Sequence, residues 1–439
     1  VSDLSTMFRM ALVGIVLFIA VVPAGGRAED EGGGDIEELK HRMLELESRY
    51  TRELERLRSR IAELEAERAR QAEPQTSRTG SQARHRLEAG YKKGLYVRSA
   101  DGAWALKLAT RIQLRYFVER FDSSRNKDTE HSFQVRRLRL TLSGHAFRPW
   151  IHYKIQLAAD KGHDLTGKDY YVDLVKYRAA ALRLGQYKVP FNAEELTSSS
   201  ALAFVDRSIV GKEFSFGRDI GVMAHGIIGR MVDYGVGVFN GAGPNAADNP
   251  DGDFVVAGRV EFYPLGRFKL SQADLRRGER RVRLRLAAAA LAAPGLNPGI
   301  ESTGGEAADR CAELGSATCD VVQFTVDAQL KYRGASAEVE YHARSIDPAE
   351  DGLDGADAWG LRMQAGYVFA SPGIGVGLRY AYVDEDNPDV QRWELTPALS
   401  YYFHGHRLKL QGDYSLLHES AVGVGRDDNR VRLQLQLYF

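Results

Sequence analysis

The chain has 439 residues and carries 59 Lys plus Arg against 59 Asp plus Glu, so its net charge gives no support to a nucleic-acid partner. Mean hydropathy is −0.34, which excludes a polytopic helical membrane protein but not a transmembrane β-barrel, where only every second strand residue is apolar. Gly (44), Tyr (20) and Phe (18) are plentiful and Pro (13) is sparse, a composition suited to many turns joining aromatic-bordered strands.

The long apolar run from Met10 to Val22 is short for a membrane-spanning helix. Arg9 precedes it, and Gly26 and Ala28 supply the small residues a signal peptidase reads. Residues 1–28 are therefore expected to be a signal peptide, starting at Met7 or Met10 and cleaved after Ala28, with a single-pass anchor as the alternative. A charged helical segment follows over 35–73. Its apolar residues Ile36, Leu39, Met43, Leu46, Tyr50, Leu54, Leu57, Ile61 and Leu64 keep a heptad seam with one stutter, at Tyr50 to Leu54, which predicts a self-associating coiled coil. Residues 74–93 read as a polar linker.

From residue 94 to 439 the two-residue period replaces the helical one. Strands are expected at 104–118, 132–146, 150–159, 168–178, 181–187, 219–229, 232–240, 253–263, 281–292, 320–332, 335–344, 358–370, 373–383, 391–403, 406–416 and 429–439. About 16 antiparallel strands is an even number in the range of outer-membrane barrels, and long links alternate with short ones as such barrels require. The link 264–280 breaks that alternation, so a missed or misplaced strand is expected there. Aromatics at Phe147, Trp150, Phe262, Tyr263, Phe369, Tyr401 to Phe403, Tyr438 and Phe439 fall at strand ends on one rim, where an interfacial girdle belongs. The fold class is an all-β transmembrane barrel preceded by an α-helical coiled coil, with the coil in the periplasm and outer-membrane lipid around the barrel.

Phasing the strands assigns their faces. Leu106, Leu108, Ile112 and Leu114 face lipid, which turns Lys107, Arg111, Gln113 and Arg115 inward. Leu138, Leu140 and Leu142 do the same for Arg137, Arg139 and Thr141. Phe133 and Val135 have the opposite phase, so a bulge is expected at Arg136-Arg137 that keeps both arginines out of lipid. Closure of the barrel adds Arg430 and Arg432 of the last strand to this wall, and Arg281, Arg283 and Arg285 are expected inward half-way round. A Lys or Arg on the lipid face costs roughly 2–4 kcal/mol at mid-bilayer. Inward acids are scarce on these strands, and rings of basic residues favour anions in a pore.

The link 188–218 is too long for a hairpin and holds Glu194, Glu195, Asp206, Arg207 and Lys212. Folded inward it would be a constriction loop with a transverse field; outside, it would be a surface loop. Cys311 and Cys319 suit a loop-closing disulfide better than a metal site, since no His lies nearby. No metal or cofactor site stands out, and no Ser, His and acid cluster points to an enzyme.

Several stretches, Phe133 to Gly144 (FQVRRLRLTLSG), Leu184 to Phe191 (LGQYKVPF), Arg218 to Gly221 (RDIG) and Val236 to Gly241 (VGVFNG), resemble the phosphate-selective porin O/P family of bacterial outer membranes. The resemblance implies a homotrimer of barrels of this strand count, with an arginine ladder leading anions to a constriction on the third loop. Arg111 in TRIQLRY and Arg136 with Arg137 match ladder arginines, and Asp173 matches an acid near the constriction. The sequence departs from the pattern at Glu195, where phosphate-selective members carry a lysine; a carboxylate there opposes strict phosphate selectivity. The expectation is a porin for small anionic or polar solutes in the outer membrane of a Gram-negative-type bacterium. The alternative is a structural protein whose coil contacts the cell wall.

Overall fold

The computed structural model describes residues 87–439 except 122–128, 163, 247, 250–251, 277–279, 298–305 and 422–423, together with scattered positions between 52 and 63. The expected signal peptide and the apolar seam of the expected coiled coil lie outside the described residues. The described positions between 52 and 63 are helical and exposed, and Arg60 pairs with Glu63 at 2.8 Å. The chain divides into Val1–Thr79 and Gly80–Phe439.

The second unit is a closed barrel of sixteen antiparallel strands. A short hairpin, β1 (Leu87–Tyr91) and β2 (Leu95–Ser99), precedes β3 (Ala105–Arg120), β4 (Thr129–His145), β5 (Ile151–Ala158), β6 (Thr166–Tyr177), β7 (Ala180–Lys188) and β8 (Arg218–Ile228). The barrel continues with β9 (Val232–Phe239), β10 (Val255–Phe262), β11 (Arg283–Leu296), β12 (Cys319–Tyr332) and β13 (Ala335–Pro348). It ends with β14 (Ala356–Val368), β15 (Ile374–Asp386), β16 (Asp389–His406), β17 (Leu408–Ala421) and β18 (Val424–Tyr438). Each strand from β3 to β17 pairs with the next, and β18 closes on β3 with Leu435 opposite Leu114 and Gln436 opposite Gln113. Among the described residues no helix is long and apolar enough to cross a membrane.

The alternation of β18 shows why these segments become barrel strands. Val431, Leu433, Leu435 and Leu437 are 40–49% exposed, whereas Arg432, Gln434 and Gln436 are at most 4% exposed. The apolar face is on the outside and the polar face within, which suits a lipid surround rather than water. Tight turns close the opposite end from the long links. In the β12–β13 hairpin Arg333 (φ 51°) and Gly334 (φ 93°) both take the left-handed conformation, as a two-residue type I′ turn requires.

Two bulges place adjacent charges inside. The register between β3 and β4 shifts so that Arg136 has no partner between Val135 and Arg137, and that between β5 and β6 shifts at Lys168. The first is the bulge that the phase change anticipates.

Other features differ from expectation. Among its described residues the segment 264–282 holds no strand; it turns into the barrel, where Gln272, Ala273 and Asp274 are buried. Lys331 donates to Ser271 Oγ at 2.6 Å, and the Gln329 amide donates to the Ser271 carbonyl at 2.8 Å. Arg281 lies ahead of β11 and is exposed, so only Arg283 and Arg285 of that trio belong to the strand. Tyr263 and Tyr402 are buried, facing inward, whereas Phe147, Phe262, Phe369, Tyr401, Phe403 and Phe439 are exposed on the rim. The hairpin starts at Leu87, inside the stretch read as linker; five residues of alternation carry too little signal to mark a strand. β2 pairs with β3 below the end of β18.

Candidate functional site

The lumen is built around the link between β7 and β8, which crosses the barrel. It carries two short helices, α1 (Ala193–Leu196) and α2 (Ile209–Glu213), started by Asn192 and Ser208, whose side chains accept from the Glu195 and Gly211 amides at 2.8 Å. Phe191, Phe204 and Phe214 are fully buried. Phe191 joins an apolar cluster with Phe239, Leu291, Val321 and Ile346 that also receives Ala307, Ala308 and Cys311 of α3 (Glu306–Glu313). Cys311 and Cys319 are joined by a disulfide. Val210 and Phe214 pack on Ala358, Ala381 and Val383 of β14 and β15. This packing fills the side of the lumen next to β9–β16.

Polar contacts pin the same loop to the far wall. Lys409 donates to the Leu202 carbonyl at 2.8 Å, Gln411 to the Ala203 carbonyl at 2.8 Å, and the Val205 amide donates to Asp413 at 2.9 Å. The Ala193 amide donates to Glu340 at 2.7 Å, and Arg344 to Glu213 at 2.7 Å. Glu194 is buried; it accepts from Ser208 Oγ (2.6 Å) and from the Gln272 amide (3.2 Å), and faces Arg379 at 3.7 Å and Arg362 at 3.9 Å. Gln272 thus couples the inward loop to the segment 264–282, which enters from the other end.

Asp206 is the hub between loop and wall. It pairs with Arg115 (3.1 Å), Arg136 (3.0 Å) and Arg137 (3.1 Å). The bulge supplies the last two from adjacent positions. Burial by itself raises the Asp206 carboxyl, but Arg137, Arg136 and Arg115 outweigh it and hold the group well below the ordinary carboxylate range. Three guanidiniums share one carboxylate, so the cluster keeps positive charge.

The expected wall residues divide into paired and isolated groups. Arg139 pairs with Asp160 at 2.6 Å, Arg432 with Asp413 at 2.7 Å, Arg430 with Glu119, and Arg285 with Asp327 at 2.7 Å. Arg283 donates to the Leu265 carbonyl at 2.9 Å. Arg111 is buried and reaches Ser198 Oγ at 3.4 Å. Lys107 is half-buried, Lys212 is exposed on α2 within the field of Asp206 and Glu394, and neither forms a direct ion pair among the described residues. Arg207 clamps the loop, pairing with Glu195 at 3.0 Å and donating to the carbonyls of Glu194 (3.1 Å) and Thr197 (3.2 Å). Glu195 also faces Lys188 at 3.5 Å and Arg218 at 3.9 Å. Burial raises its pKa and these cations lower it more, to about 2. Asp173 bonds Arg183 and His225, both at 2.7 Å, on the wall.

Solvent reaches the side of the lumen that the loop leaves open. The side chains of Lys154 and Arg183 are 29% and 23% exposed, against 0–2% for Arg379 and Arg362 on the packed side. On β4–β8 and the adjoining link, the accessible side presents Arg139, Lys154, Lys168, Arg183 and Arg218 against Asp160, Asp169 and Asp173. Asp169 is shared by Lys154 (2.5 Å) and Arg218 (2.7 Å). Lys168, the bulged residue, forms no direct ion pair among the described residues, though Asp160 lies near enough to attract it. Lys154, Lys168, Arg183 and Arg218 escape a reading confined to the first, second and last strands. Period-two phasing applied to β5 and β7 finds Lys154 and Arg183, whereas Lys168 and Arg218 share the parity of the exposed Val172 and Val222 and escape it.

The family model described as phosphate-selective porin O and P matches residues 108–439. An uncharacterised protein of Aquifex aeolicus (strain VF5) is 24% identical over 375 residues, 76% of this chain and 87% of that protein. The anion-selective porin from Comamonas acidovorans superposes with a TM-score of 0.54 at 13% identity, covering 76% of this chain and 99% of that one. OmpT of Vibrio cholerae in a trimer form gives 0.50 at 11% identity, covering 76% and 99%. At these identities the structural likeness is one of fold.

Proposed function

The chain belongs to the phosphate-selective porin O and P family and is an outer-membrane porin; from that premise we propose that it passes small hydrophilic solutes with a preference for anions. The observation that carries the preference is the charge on the accessible side of the lumen, where Arg139, Lys154, Lys168, Arg183 and Arg218 outnumber Asp160, Asp169 and Asp173. Cations fixed on the wall of a narrow aqueous path lower the energy of an anion there and raise that of a cation. Strict phosphate selectivity is not part of the proposal, because Glu195 stands in the inward loop and engages Lys188, Arg207 and Arg218 itself.

The test is planar-bilayer recording of Arg139→Gln/Lys168→Gln. The chloride-to-potassium permeability ratio should fall several-fold while the channel still conducts. A ratio equal to that of the parent protein would overturn the charge argument.

A homotrimer is the proposed assembly, supported by the trimer form of the OmpT neighbour. The heptad seam over 35–73 supports a second role, contact with the cell wall, in addition to conduction. Deleting residues 35–72 should leave conductance unchanged and impair envelope attachment; normal attachment would remove that role.

A further inference from the structure

At the short-turn end of the barrel, the periplasmic end in an outer-membrane barrel, lies a cavity of about 880 Å³. This is within the usual size of small-molecule sites. Its roof is Ser198, Ser200 and Ala201 of the inward loop, and one wall is the segment 269–276. That segment is fixed in place: the backbone N–H of Gln272 donates to the Ala201 carbonyl at 2.9 Å, and Asp274 accepts from the backbone N–H of Gly334 at 3.2 Å.

The cavity has two chemically distinct surfaces. Lys93, Lys269, Arg333 and Arg407 line it, and none of them has a carboxylate partner among the described residues. Asp274, the carboxylate in the lining, is engaged by Arg276 at 2.7 Å. The lining also includes the apolar side chains of Leu275 and Val368 and the buried Tyr402 ring. His406 stands edge-on to Tyr402, with ring centroids 5.6 Å apart. Both of its ring nitrogens are shielded from solvent and have no hydrogen-bond partner among the described residues.

We infer that this chamber binds organic anions that combine a carboxylate with a flat apolar body, of which benzoate is the simplest probe. The inference rests on the proposed anion preference and adds a solute class to it. The carboxylate meets Lys269, Arg333 and Arg407, and the ring lies on Tyr402, Leu275 and Val368. Inorganic phosphate can satisfy the cations but leaves the apolar surface in water, so the chamber discriminates in favour of the organic ion.

The experiment is block of the KCl current through the full-length protein by benzoate, acetate and inorganic phosphate, each added to either side of a planar bilayer. Benzoate should reach half-block at a concentration at least tenfold below acetate and phosphate, and from one side in preference to the other. Lys269→Gln/Arg333→Gln should raise the benzoate value about tenfold, and Leu275→Ser, which removes apolar lining, should bring benzoate close to acetate. Equal block by the three anions overturns the inference while leaving the anion preference standing, as does a benzoate advantage that survives Leu275→Ser. Cation selectivity of the parent channel with no block by any anion overturns both. Should a variant fail to refold into a heat-resistant barrel, the comparison of the three anions on the parent protein decides alone.

Discussion

Asp206→Asn removes the charge from the hub between the inward loop and the wall while keeping its shape. At an effective dielectric constant of 20, each of the three contacts near 3 Å carries about 5 kcal/mol of attraction before desolvation is subtracted. Breaking a buried pair in proteins costs about 3–5 kcal/mol. The loop should stay in place, because Lys409, Gln411, Asp413, Glu340 and Arg344 hold it independently of that carboxylate. The electrical consequence is larger than the structural one. One negative charge removed about 6 Å from a passing ion in water changes its energy by about 0.7 kcal/mol. The effect has opposite sign for chloride and potassium, so their ratio changes by about 1.4 kcal/mol, or tenfold, which screening over a Debye length of about 10 Å in 0.1 M salt reduces to roughly fourfold. The assay is the reversal potential in a salt gradient, repeated at 0.1 M and 1 M mean salt. An increase in chloride preference that shrinks at high salt is expected. No change, or a shift toward potassium, would refute the hub as a determinant of selectivity.

Arg432→Ala strands Asp413, which is wholly buried, so the barrel should lose about 3–5 kcal/mol, read as a lower melting temperature on heat-modifiability gels. Arg430→Ala instead frees the half-buried Glu119 and should move selectivity toward cations with little change in that melting temperature. Cys311→Ser/Cys319→Ser opens a loop of eight-residue separation, worth roughly 2.5 kcal/mol by loop entropy. It should speed proteolysis of 306–318 while the barrel stays resistant. Gln272→Ala removes the partner of both the Ala203 amide (2.8 Å) and Glu194 (3.2 Å). Losing it leaves buried groups unsatisfied at about 1–3 kcal/mol, and single-channel conductance should become larger and noisier.

The barrel was legible because lipid on one side and water on the other impose a strict period of two, and Val431 to Leu437 carry it without a break. The bulge at Arg136 was legible for the same reason, since the apolar phase reverses around it. The bulge at Lys168 was not, because its neighbours Gly167 and Asp169 mark no phase. The paired state of the arginines was hidden for a different reason. Their strands are poor in acids, but the partners Asp206, Asp160 and Asp413 come from loops and other strands, and only closure of the barrel brings them together. The segment 264–282 was legible as an anomaly and not as a structure. Its residues Ser271 to Asp274 have no alternation of their own, and what draws them inside is the hydrogen bonding of Gln329, Lys331 and the Gly334 amide. Glu195 carries the same lesson. Its position suggested repulsion of anions, whereas Lys188, Arg207 and Arg218 surround it.

The most direct test is the reversal potential of the unmodified channel across a tenfold KCl gradient at neutral pH. An excess of cations on the accessible wall predicts a potential displaced toward the chloride equilibrium value, with the displacement falling as salt is raised. A potential displaced toward the potassium value would contradict the account.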